Sequence, residues 1–133
     1  MTGERDLRTL LHGLRPELRS GRYVFTTLPG GEVPAGVTPV VTVAESEGLT
    51  LVVPEAQARE SGLDHHFVAA WITLRVHSAL DAVGLTAAVS LALTDAGISC
   101  NVVAGFHHDH LFVPYGRATQ AVQVLEALAE ESA

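Results

Sequence analysis

The chain has 133 residues and a mass of 14.0 kDa, is 47% hydrophobic and 17% charged, and is long enough to bury a core as one compact unit or as two small halves. Eight basic against fifteen acidic residues leave a formal charge of −7, which repels phosphate backbones and anionic headgroups and argues against nucleic-acid or membrane partners. The single cysteine, Cys100, excludes an internal disulfide, no signal-peptide pattern opens the chain, and no apolar run approaches the roughly 20 residues of a membrane span, so a cytoplasmic location is expected.

Taken in chain order, Leu7, Leu10, Leu11 and Leu14 mark a first helix that Pro16 ends. All the basic residues are arginines, and Arg5, Arg8, Arg15, Arg19 and Arg22 precede Tyr23; they suit a solvated helix face, or a grip on an acidic partner. Residues 23–28 read as a strand, and the following Pro and Gly residues as a loop. Residues 40–44 and 49–53 form a hairpin that feeds a short helix running to Arg59, and residues 61–66 make a joint. Beyond it, Ile72, Leu74 and Val76 alternate with polar or aromatic neighbours, which predicts a strand over residues 70–77. Leu85, Ala88, Val89, Ala92 and Ala96 follow the 3.6-residue period and predict a helix over 84–96, with Gly97 as its stop. A hairpin of residues 98–106 and 110–113 and a closing helix built on Ala118, Ala121, Val122, Leu125 and Leu128 complete the order.

The two hairpins repeat each other. Residues 43–54 and 103–114 align without a gap, and Val43 with Val103, Ala44 with Ala104, Leu51 with Leu111, Val53 with Val113 and Pro54 with Pro114 are identical. Each copy is a β-hairpin feeding a helix, with proline at the helix mouth, where its fixed φ and missing N–H cost nothing. Each half is therefore expected to be a sheet with helices on one face, an α+β arrangement.

Residues able to carry catalysis are not assembled by any motif. His65 and His66, and His107, His108 and His110 around Asp109, have the right atoms for a metal, but a hairpin tip makes neighbouring side chains diverge and the sister tip, residues 46–50, carries no ligand set. Solvated turn histidines are the expectation, and a metal-dependent enzyme using His107, His108 and His110 the outlying alternative. Cys100 is expected to be an inert core residue, Ser78, Ser99 and Thr86 lack a nucleophile elbow, and no phosphate loop, dinucleotide fingerprint or paired-carboxylate motif occurs. No cofactor is expected. A binding site is easier to build, because the backbone N–H groups of Gly84, Leu85 and Thr86 open a helix and suit a carboxylate.

Residues 47–54, His77-Ser78, residues 83–89, residues 96–99 and residues 107–114 together resemble the stand-alone tandem ACT-domain family, whose second repeat is similar to the ACT repeats of aspartate kinase and of the cytosolic arginine sensors. The resemblance implies two ACT-like βαββαβ repeats of ferredoxin-like type with antiparallel sheets, a degenerate one over residues 1–66 and a second over 67–133. The second repeat stops before its fourth strand, so a strand exchanged between repeats, most simply residues 23–28, is expected to complete it, and homodimerisation is expected as well. By the same resemblance the protein is a non-catalytic regulatory module binding a small amino-acid-type ligand, with the ligand lying between repeats or at a dimer interface. Ser78, Val83, Gly84, Leu85 and Thr86 would line that site, with Asn101 and Asp109 holding the ligand's amino group or side chain. The alternative is a structural or protein-interaction module that has kept the fold without the ligand. A regulated protein partner is left open.

Overall fold

The computed structural model describes residues 6–76 and 78–132. In chain order the elements are α1 (Leu7–His12), β1 (Pro16–Leu18), β2 (Tyr23–Leu28), β3 (Val41–Glu45), β4 (Gly48–Pro54), α2 (Glu55–Glu60), β5 (Val68–Leu74), α3 (Leu85–Asp95), β6 (Asn101–Ala104), β7 (Asp109–Pro114), a 3-10 turn (Tyr115–Arg117) and α4 (Ala118–Glu131). They gather into two compact units, one formed by the residues up to Arg19 with those from Ala70 onward, the other by Ser20–Ala69. We call them the major and the minor unit.

In the minor unit β4 lies between β3 and β2, with antiparallel registers of Val43 to Thr50 and Thr26 to Leu51. Tyr23 and Val24 pair in turn with Ala69 and Val68 at the start of β5. Where a helix would follow the first strand, Pro29, Gly30, Gly31, Pro34 and Gly36 leave residues 29–40 irregular, because proline removes donors and glycine raises the entropic cost of a helix. Val37 from this loop joins Val24, Leu51, Val53 and Ala58 in the unit's core.

In the major unit the strands run in the order β1, β5, β7, β6. Ala70, Ile72 and Leu74 of β5 and Leu111 and Val113 of β7 point to one face, where they pack with Leu10 of α1 and Leu14 just after it, Leu85, Val89 and Leu93 of α3 and Ala121 and Leu125 of α4. Fully buried leucines such as Leu111 and Leu125 contribute about 1.5–3 kcal/mol each through burial. Asp6 caps α1, its carboxylate accepting from the N–H and hydroxyl of Thr9, which holds the carboxyl below its ordinary range. At the other end of α3, Gly97 donates to Thr94 and Ile98 to Leu93, and Arg117 donates to the carbonyls of Ala96 and Gly97.

Several expectations are met: the α+β architecture, the first helix, the strand over residues 23–28, both hairpins and the helices at 55–60, 85–95 and 118–131. The hairpin registers repeat as the alignment requires, Val43 to Thr50 recurring as Val103 to His110 and Ala44 to Leu49 as Ala104 to Asp109. Three details differ. The strand expected over 70–77 begins at Val68 and ends at Leu74, because Val76 donates back to the Leu74 carbonyl and turns the chain; His77 lies outside the described residues. The strand expected from Ile98 to Phe106 is confined to Asn101–Ala104, since Gly105 donates to the His108 carbonyl and closes the tip early.

The third difference concerns the strand that completes the major sheet. It is β1, pairing Pro16, Glu17 and Leu18 with Leu74, Thr73 and Ile72, whereas residues 23–28 belong to the minor unit. Proline as the first residue of an edge strand sacrifices no ladder bond, so the residue that ends α1 also opens β1. A strand from the N-terminal region does fill the fourth position, as the resemblance implied, but three residues without alternation give no period-2 signal.

Candidate functional site

At the mouth of α3 the major unit holds a small pocket of about 80 Å³, lined among others by Ser78, Leu85, Thr86, Gly105, His108 and Asp109. Three segments build it. The chain leaving β5 supplies Ser78, whose N–H donates to the Val76 carbonyl. The first turn of α3 supplies Leu85, buried below, and Thr86, exposed above. The β6–β7 tip supplies the remaining residues.

No side chain caps the N-terminus of α3, and the first intrahelical bond runs from the Ala88 N–H to the Gly84 carbonyl. The N–H groups that precede it are therefore not taken by a cap, and the helix dipole adds partial positive charge there. Gly84 itself serves the helix start rather than the pocket. It sits at φ +103°, and a Cβ there would stand 3.1 Å from Cδ2 of Leu7. Its missing side chain is explained by this left-handed backbone and by the contact with α1.

Asp109 lies on the helix-facing side of β7, half-buried, and among the described residues its carboxylate makes no hydrogen bond or ion pair. Burial raises its pKa, opposed by the nearby His110 and His108. Asn101 lies elsewhere. It pairs with Phe112, whose neighbours Leu111 and Val113 face the helical core, so Asn101 stands on the opposite face of the sheet and is exposed. Val83 is 83% exposed and does not line the pocket. Of the seven residues expected to bind ligand, the pocket brings together Ser78, Leu85, Thr86 and Asp109, and not Val83, Gly84 or Asn101.

The histidines of the tip correct the expectation of solvated turn residues. His107 is exposed and meets Phe106 edge-on, with ring centroids 5.0 Å apart, but His108 and His110 are partly buried and hydrogen-bonded. Nε2 of His108 lies 3.2 Å from a guanidinium nitrogen of Arg75, which can only donate, so Nε2 accepts and Nδ1 carries the hydrogen. That Nδ1 is buried without a partner. His108 thus brings an unpaired donor to the pocket wall. On the other face, Nδ1 of His110 lies 3.1 Å from the indole nitrogen of Trp71 and 3.2 Å from the Thr73 hydroxyl. Among the described residues no group of three or more His, Cys, Asp and Glu is arranged to hold a metal ion.

Arg19, one of the N-terminal arginines, stacks over Trp71 with its guanidinium carbon 4.2 Å from the ring centroid and donates to the Thr73 hydroxyl. Cys100 packs against the major core, and burial pushes its thiol up to about 11, which keeps it out of thiolate chemistry at neutral pH. The sequence signal that could have singled out His108 is the repeat itself, since His108 aligns with Gly48, and a side chain present at one tip and absent at the other marks where the two copies differ.

Family models described as ACT domain match residues 2–70 and residues 67–127. No protein of curated function matches the chain. Among solved structures, a Vibrio cholerae protein of unknown function, described as a possible transport protein, is similar over 92% of this chain and 95% of its own, with 44% identity and a TM-score of 0.83. The ligand-free regulatory subunit of aspartate kinase from Thermus thermophilus shares the fold over 85% of this chain and 95% of its own, with 9% identity and a TM-score of 0.63. Aspartate kinase from Clostridium acetobutylicum shares it over 90% of this chain and 34% of its own, with 14% identity and a TM-score of 0.61. With two matching repeats in tandem and a 44% identical relative matched over nearly its whole length, the chain belongs to the ACT-domain family.

Proposed function

We propose that the protein is a non-catalytic regulatory module whose second repeat, residues 67–133, binds an α-amino acid in the pocket at the mouth of α3, while the first repeat, residues 1–66, is degenerate. ACT domains point to a regulatory role exercised through a small ligand, and aspartate kinase regulatory subunits of the same fold agree with that class. The observation that carries the reading is that unpaired N–H donors and an unpaired carboxylate line one small space. Uncapped N–H groups of α3 and the unpaired Nδ1–H of His108 suit a carboxylate, and the unpaired carboxylate of Asp109 suits an ammonium. A volume of about 80 Å³ admits on the order of five to eight water-sized groups, the scale of an amino-acid head group.

Asn101, on the other face of the sheet, would take part only if a second copy of the chain brought it to a ligand, which is how a homodimer enters this reading. The open-edge reason for dimerisation is weaker than the sequence suggests, because β1 occupies the edge of β5. Exposed Leu80, Val83 and Phe106 around the pocket supply apolar area for such a contact.

A thermal-shift series with individual α-amino acids tests the reading, since a ligand that binds only the folded chain raises its stability by RT ln(1 + [L]/Kd). A rise for at least one amino acid, lost with its α-amide in place of the carboxylate, supports it. Absence of any shift across the series favours the structural module.

A further inference from the structure

We infer that His110 is a proton-operated latch, which, when neutral, ties the β6–β7 tip to Trp71 and, when protonated, lets the tip go. The inference deepens the ligand reading by making the pocket wall proton-sensitive, and rests on it only for that consequence.

The geometry fixes what each atom does. The Trp71 indole N–H is a donor and nothing else, so Nδ1 of His110, 3.1 Å away, accepts and the neutral ring carries its hydrogen on Nε2. Thr73 stands 3.2 Å from the same Nδ1 while its oxygen accepts from Arg19, so its hydroxyl hydrogen is free to point at His110. Arg19 in turn stacks over Trp71, and Trp71 stacks on Phe112 with centroids 6.2 Å apart. Trp71, Thr73, His110 and Arg19 are thus one connected cluster on the sheet face away from the helices. A proton on Nδ1 could be received by Thr73, but it would face the indole N–H donor to donor, and the link to Trp71 is lost.

The tip depends on that link. Gly105 closes the turn by donating to the His108 carbonyl, and a Cβ on Gly105 would lie 2.8 Å from that carbonyl and 3.2 Å from Nε2 of His110. The ring of His110 therefore lies against the turn whose other residues, His108 and Asp109, form the pocket wall. One hairpin carries the proton-sensitive ring on one face and the ligand-facing carboxylate on the other.

The charged surroundings favour the neutral ring. Burial lowers the pKa of His110, and His108 on the tip, Arg19 after β1 and Arg75 after β5 lower it further, while Asp109 on β7 opposes them. Glu17 on β1 is engaged with Arg75 and offsets that cation. A folded-state pKa below the unfolded value of 6.5 means that the unfolded chain takes up the proton first. The stability the neutral ring contributes is therefore complete above pH 6.5 and is lost as pH falls from there through the folded-state pKa.

Trp71 is the sole tryptophan of the chain, so its emission reports on this bond directly. On acidification of the full chain the emission should pass through one step centred below pH 6.5, before acid unfolding, and His110→Asn, which keeps an acceptor near Nδ1 but cannot titrate, should lose the step. Through the same step, hydrogen exchange of the tip amides, corrected for intrinsic rates, should quicken about tenfold in the wild type and not in the variant. Independently of how that variant folds, Trp71→Phe removes the donor that favours the neutral ring, and the His110 midpoint read by NMR should rise. A step that persists in His110→Asn, a tip that exchanges unchanged, or an unmoved midpoint in Trp71→Phe overturns the inference. If the latch operates as described and no amino acid binds at any pH, the ligand reading fails and the latch stands.

Discussion

The two hairpins of the chain share one register and close the same corner in opposite ways. In the minor unit the turn residues Glu45 and Gly48 flank the tip, and a Cβ on Gly48 would lie 2.8 Å from the Leu28 carbonyl oxygen and 3.0 Å from the Pro29 Cα. The chain leaving β2 fills the corner with its own backbone. In the major unit the aligned residues are Gly105 and His108, so the glycine has changed sides. The position that admitted backbone now carries an imidazole, and beside it a pocket opens at the mouth of a helix that the minor unit does not have. The duplicated hairpin fixes the frame, whereas the tip residue and the segment after the first strand decide whether the corner is plugged or open.

The largest expected effect contrasts the two cores. Leu125→Ala, in the middle of the major core, should cost about 2–5 kcal/mol in urea unfolding, because a leucine with no exposed surface leaves a cavity. Val37→Ala, in the loop that replaces a helix in the minor unit, loses two methyl groups and should cost about 1–2 kcal/mol. Equal losses would contradict the ranking of the two cores.

The tips separate next. Gly48→Ala forces a Cβ against backbone at φ +151° and should cost about 1–3 kcal/mol. His108→Gly, which gives the major tip the minor unit's glycine, should change stability by about 1 kcal/mol or less while weakening amino-acid binding by calorimetry. A Gly48→Ala chain as stable as the wild type would mean that the minor corner is not closed by its backbone.

Much of this contrast is legible in the sequence, and the rest is hidden for physical reasons. The gapless alignment of residues 43–54 with 103–114 foretells the shared register, because a period of two leaves no other way to bury Leu51, Val53, Leu111 and Val113. The helix over 84–96 and the loop after Leu28 are readable from periodicity and from proline and glycine content. β1 is not, since Pro16, Glu17 and Leu18 carry no alternation and acquire their role from a partner strand more than fifty residues away. The site is half legible: Ser78, Leu85, Thr86 and Asp109 converge, and alternation already puts Asn101 on the strand face opposite Cys100, but it does not tell that the pocket lies on the helix-facing side and leaves Asn101 out. His108 and His110 looked like solvent-facing residues because their partners, Arg75, Trp71 and Thr73, are distant in sequence.

Asp109→Asn sharpens the distinction between stability and use. Burial raises the Asp109 pKa, so the folded chain holds this proton more tightly than the unfolded chain and stability falls as pH rises through the window above 3.8. Removing the charge should therefore raise stability at pH 7, by less than about 0.5 kcal/mol for a partly exposed group, while weakening cationic amino acids more than neutral ones. A variant that is less stable and binds cationic ligands unchanged would assign Asp109 to the turn alone. Gly84→Val is a poorer test of the site, because φ +103° and the Leu7 contact predict destabilisation whether or not ligand binds.

Cys100 occupies the repeat position of Val40. Cys100→Val should shift stability by less than about 1.5 kcal/mol. In the wild type, a thiol pushed up to about 11 should alkylate on the order of 100-fold more slowly at pH 7.5 than a thiol at its ordinary value of 9.0, as followed by mass spectrometry.

The contrast between a plugged corner and an open one is tested most directly by amide NMR with an α-amino acid selected by thermal shift. Saturation should move the signals of Ser78, Leu85, Thr86, His108 and Asp109 and leave those of Glu45, Gly48 and Leu49 in place. Shifts at the minor tip, or shifts that spare the mouth of α3, would contradict the account.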